Sequence, residues 1–110
     1  MEFTDFSIVA QDGDEIRCHR AILAAASPVF RGMMSGEWQE TLQTLERRDI
    51  AKENIVTLLE FIYLGRLPAD VEYTNLMKLA QIADYYQMPS LVNQCAARIS
   101  AQVNELFMGM

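Results

Sequence analysis

Few residues in this 110-residue chain can carry chemistry, and their spacing argues against catalysis. His19 is the only histidine, and Cys18 directly precedes it. A thiol–imidazole couple needs both groups to converge in space, with a third group orienting the base. Neighbours at a strand end point their side chains apart, so Cys18 and His19 diverge. Cys95 lies far along the chain, and two cysteines so spaced form neither a disulfide framework nor a C-x-x-C pair. The chain has no nucleophile elbow, phosphate loop or spaced set of metal ligands. The expectation is therefore no catalytic residue, no cofactor and no metal. A redox or enzymatic role for Cys18 or Cys95 is the distant rival. Reduced thiols fit the cytosol or nucleus.

What remains is recognition. Trp38 is the only tryptophan and stands between Glu37 and Glu40 in a polar stretch, residues 36–41. A large aromatic outside any periodic face suits an interface anchor. Equally, it can fold back over the preceding helices as a lid, and the residues alone leave both readings open. In the Tyr85-Tyr86 pair, Tyr86 falls on a core face and Tyr85 does not. Met33, Met34, Met77 and Met88 sit in or beside helices, where methionine is an adaptable filler. Met108 and Met110 lie at the chain end.

Composition narrows the class. The formal charge of −6 disfavours a nucleic-acid backbone as direct partner. With 51% hydrophobic residues and only three prolines, the chain has the makings of one folded domain, 1–110. No apolar run reaches membrane-span length, and the first residues lack the basic start and apolar core of a signal peptide.

The elements that must position these residues read as follows. Alternation predicts a strand over 5–11. Asp12-Gly13-Asp14 is a turn signal, followed by a return strand over 15–18 with Ile16 and Cys18 on one face. Residues 20–26 form an Ala-rich helix, and Ser27-Pro28 breaks it and opens a second, carrying Val29, Phe30, Met33 and Met34. A short third strand is expected within 42–47, with Leu42 or Leu45 inward. Asp49 is the expected cap of a helix over 51–64, whose Ile55, Leu58, Leu59 and Ile62 make a core stripe. Gly65 ends that helix. Another runs over 74–86, and Pro89 opens a further one through Ile99. Residues 104–110 read as the truncated start of one more. The order β-β-α-α-β-α-α-α, with a small sheet, is α+β.

The run H-R-A-I-L-A-A-A-S-P-V-F-R-G-M, with T-D-F-S-I-V before it and L-L-E-F-I-Y-L-G after it, resembles the BTB/POZ domain family. The resemblance covers residues 4–100. It implies a BTB/POZ fold, a small three-stranded sheet capping a cluster of five to six helices. It makes His19-Arg20 a fold signature rather than an active site. It also implies a protein-interaction module of the cullin-3 adaptor type in a ubiquitin ligase. Such members carry a hydrophobic-x-Glu motif after the second helix, which Trp38-Gln39-Glu40 matches. Met34, Trp38, Glu40, Tyr85 and Met88 become the expected contacts to the cullin-3 N-terminal domain. The family's homodimer face maps to Phe3, Asp5, Phe6, Arg20 and Leu23, with Asp5 and Arg20 expected to pair. Because the chain starts at Met1, directly before the first core strand, the expected homodimer is weak and lacks strand exchange. The alternative implied is homotypic assembly or corepressor recruitment without cullin binding.

Overall fold

The computed structural model describes residues 3–35 and 43–108, with side chains to residue 105. Its organising unit is a three-stranded sheet ordered β2-β1-β3. β1 (Phe6–Val9) and β2 (Glu15–Cys18) form an antiparallel hairpin in which Phe6 faces Cys18 and Ile8 faces Ile16. Gly13 makes the turn with φ 89°, where a Cβ would be strained. All four residues of β1 are buried, as expected of a central strand covered on both faces. β3 (Thr44–Glu46) pairs parallel to β1. A parallel pair needs a crossover, and α1 (Arg20–Ala26) and α2 (Pro28–Met33) supply it. β3 is shorter than the expected 42–47. Leu45 packs against the core, and Leu42 lies outside the described residues.

Three helices follow: α3 (Lys52–Leu64), α4 (Tyr73–Tyr85) and α5 (Pro89–Met108). The expected stripe of α3 is core, with Ile55, Leu58 and Leu59 buried. Gly65 ends it in the left-handed region, φ 76°, and its N–H donates to the Phe61 carbonyl at 2.8 Å.

Two boundaries differ from expectation. Asp49 does not cap α3. The cap position is Ala51, with no side-chain bond, because the Asp49 carboxylate is held by the Arg47 guanidinium through two hydrogen bonds of 3.0 Å. Residues 104–108 are not a separate helix but the continuation of α5, since no Pro or Gly interrupts the run before Gly109. The Arg98 side chain fastens α5 to the 67–68 segment, donating to the carbonyls of Pro68 at 2.6 Å and Leu67 at 3.2 Å.

His19 is structural at the strand-to-helix junction. Its backbone N–H donates to the Tyr63 hydroxyl at 3.0 Å, and its ring Nδ1 lies 2.8 Å from the same oxygen. Cys18 and Cys95 are free and buried. Burial pushes the Cys18 thiol from 9.0 up to about 11, with the Asp5 charge adding and Arg17 opposing. The native chain therefore keeps a proton that the unfolded chain loses above pH 9.0. Cys18 stabilises the fold fully below that pH, and its contribution is lost as pH rises through about 11. Denaturation midpoints taken across this window are expected to fall, and a flat profile would contradict the assignment.

Candidate functional site

The first turn of α2, the residues after β3 and the α4–α5 turn meet on one side of the molecule. Ser27 starts the assembly. Its Oγ accepts the Phe30 N–H at 3.2 Å, capping α2, and donates to the Tyr86 carbonyl at 2.6 Å. Phe30, fully buried, stacks on the Tyr86 ring at 4.3 Å between centroids and 6° between planes. Arg47 bonds the Tyr86 hydroxyl, and its guanidinium lies 5.1 Å over the Tyr85 ring and 5.4 Å over Tyr86. Asp49 completes the set. Its hydrogen bonds with Arg47 lower the Asp49 pKa and hold the guanidinium proton more firmly. Burial raises the Tyr86 hydroxyl against the opposing effect of Arg47. The result is a rigid base of aromatic rings and a neutralised ion pair, with Tyr85 standing 62% exposed on top. Nothing here holds a nucleophile next to a base. The arrangement presents a surface.

Met34 ends α2 half-buried, its N–H donating to the Phe30 and Arg31 carbonyls. Trp38 and Glu40 lie outside the described residues. Met88 corrects the expectation. It is only 5% exposed and belongs to the core. The cause is the turn itself. Gln87 takes φ 55°, its N–H donates to the Asp84 carbonyl at 3.1 Å, and the Met88 N–H donates to Ala83 at 2.9 Å. This is a Schellman stop, in which the residue after the left-handed one packs back on the helix. Glycine usually takes the place of Gln87, so the sequence concealed the motif.

The second group of expected contacts divides as well. Phe3 is 90% exposed, and Asp5 is exposed. Asp5 Oδ1 accepts the backbone N–H of Arg20 at 2.8 Å and so caps α1 from outside the helix. The Arg20 guanidinium lies 5.7 Å over the Phe6 ring. Phe6 and Leu23 are fully buried within this one chain, which removes both as surface contacts. Their apolar side chains fill the space between sheet and helices. Arg47, the hub of the first surface, was not singled out from sequence. Its only signal was a cation beside a short strand, with an acid two residues on.

Comparison with known proteins places this geometry. The BTB/POZ domain model matches residues 1–102. Kelch-like protein 21 of Danio rerio is 33% identical over 104 residues, covering 94% of this chain and 16% of that protein. TD and POZ domain-containing protein 4 of Mus musculus is 37% identical over 94 residues, covering 84% and 25% respectively. The chain thus spans a quarter or less of the length of these relatives. Among solved structures, the BTB domain of human Gigaxonin aligns with a TM-score of 0.71 at 26% identity, covering 86% of this chain and 76% of that one. The BTB domain of zebrafish PATZ1 shares the fold, with a TM-score of 0.74 at 22% identity, covering 90% and 77%. With its sheet order, its helices and nearly its whole length accounted for, the chain belongs to the BTB/POZ domain family of protein-interaction modules.

Proposed function

We propose that this domain is an adaptor that docks the cullin-3 N-terminal domain through the face built on Phe30, Arg47 and Tyr86. The supporting observation is convergence. α2, which leads into the Trp38-Gln39-Glu40 motif, is stacked through Phe30 on the same turn that presents Tyr85. Tyr85 thus stands on a turn packed directly against the helix that precedes the motif in sequence. The domain performs no chemistry in this role; it positions a bound protein within a ligase, in the cytosol or nucleus. Calorimetric titration with the cullin-3 N-terminal domain tests the reading. Saturable one-to-one binding is expected, and no heat from folded protein would refute it.

A second reading, homotypic assembly or corepressor recruitment, has its own support. Phe3 is 90% exposed, and the outer side of α1 offers Ala21, Ile22 and Ala25 to solvent. Sedimentation velocity over a concentration series separates the two: a strict monomer removes this second role and leaves cullin docking untouched.

A further inference from the structure

β2 is an outer strand of the sheet, and its side away from β1 meets no other strand among the described residues. The pairing register says which backbone groups face outward there. The Ser7 N–H points to the β3 side, donating to the Gln43 carbonyl at 3.0 Å. Residues that exchange bonds alternate along an antiparallel pair, so β1 and β2 bond through Phe6–Cys18 and Ile8–Ile16. The N–H and C=O groups of Glu15 and Arg17 therefore point away from β1, and no backbone bond from another described residue reaches them. Both side chains are exposed, and an Arg17 Nη1 lies 3.5 Å from Glu15 Oε1. Sheet edges are commonly guarded by charge, which repels an approaching strand of the same sign. Here the two charges are opposite and two residues apart. A groove of about 360 Å³ lies alongside, lined from β2 by Ile16 and Arg17 and from α3 by Val56, Leu59, Glu60, Tyr63 and Leu64. Leu64 stands 64% exposed there.

We infer that this edge receives β2 of a second copy of the chain, antiparallel, about a two-fold axis through Ile16. In that register Glu15 stands opposite Arg17 of the second copy, and Arg17 opposite its Glu15. Both residues turn their backbone groups outward, so the two pairs exchange four hydrogen bonds. Ile16 meets its own counterpart at the close, non-bonded position between them, beside the two apolar grooves. The next registers that the outward groups allow are slipped by two residues. They set Glu15 against Glu15 or Arg17 against Arg17, and like charges directly opposite are destabilising. The strand is thus complementary to itself in one register, as the isologous contact of a two-fold dimer requires. That match selects a second copy as the occupant, and the contact is separate from the α1 surface considered above.

Sedimentation equilibrium of charge variants tests it, with circular dichroism to check that each is folded. Glu15→Arg and Arg17→Glu, both at exposed positions, should each self-associate about ten-fold more weakly than the unaltered chain, because two attractive cross-strand pairs become repulsive. An equimolar mixture of the two variants should recover the lost affinity, since every cross-strand pair in the mixed dimer again joins opposite charges. The doubly exchanged chain, Glu15→Arg with Arg17→Glu, should associate as the unaltered chain does. An unaltered chain that stays monomeric at millimolar concentration, single variants that associate as tightly as it does, or a mixture no tighter than either variant alone would each overturn the inference. A dimer that persists unchanged in both single variants would leave self-association to α1.

Discussion

Phe30→Ala is expected to cost about 3–5 kcal/mol of folding stability, as large aromatic deletions in a closed core do. The side chain is fully buried and stacked on Tyr86, so its removal leaves a cavity rather than an opening to water. Neighbours cannot easily collapse into the space. Ser27 is bonded to both sides of it, and Tyr86 is held at its hydroxyl by Arg47. A domain of this size has about 5–15 kcal/mol in total, so the variant should sit close to unfolding. Phe30→Leu should recover most of the loss by restoring volume. Urea denaturation with near-ultraviolet circular dichroism measures both. A loss below about 1 kcal/mol for the alanine variant would mean that α2 is not seated on the α4–α5 turn as described.

The second large effect is on binding. Trp38→Ala or Glu40→Lys is expected to weaken binding of the cullin-3 N-terminal domain by about 2 kcal/mol or more, as loss of an interface hot spot does. That corresponds to about 30-fold in Kd. The tryptophan would fill an apolar pocket of the partner, and the glutamate would meet a helix N-terminus or a basic side chain there. Tyr85→Ala should add a smaller loss, since its ring is 62% exposed and rests on Arg47. Tyr85→Ala leaves the buried core in place, so its unfolding midpoint should remain near wild type. Calorimetry on the variants decides the matter, and wild-type affinity in both Trp38→Ala and Glu40→Lys would mean the contact surface lies elsewhere.

The parts of the fold that were legible in the sequence are those governed by neighbouring residues. Ser27-Pro28 announced both the end of α1 and the cap of α2, because both need only a hydroxyl and a ring at adjacent positions. Gly65 announced the end of α3 because only glycine takes φ 76° without strain. The stripe of Ile55, Leu58 and Leu59 gave α3 its buried face. What escaped depends on partners distant in the chain or on residues in unusual conformations. Asp49 looked like a cap until Arg47 claimed its carboxylate. Met88 looked like a contact until Gln87, in a conformation that favours glycine, turned it inward. Phe6 and Leu23 looked available because neither a periodicity nor a family pattern states how deeply the sheet is covered. Arg47 joins residues 39 apart, which no local pattern reveals.

Hydrogen–deuterium exchange of the domain with and without the cullin-3 N-terminal domain tests the central claim most directly. Protection should appear at the end of α2, residues 31–35, and around Tyr85 in the α4–α5 turn. The later part of α3, residues 56–64, should exchange as in the free protein. Protection on α3 with none at Tyr85 would contradict the account.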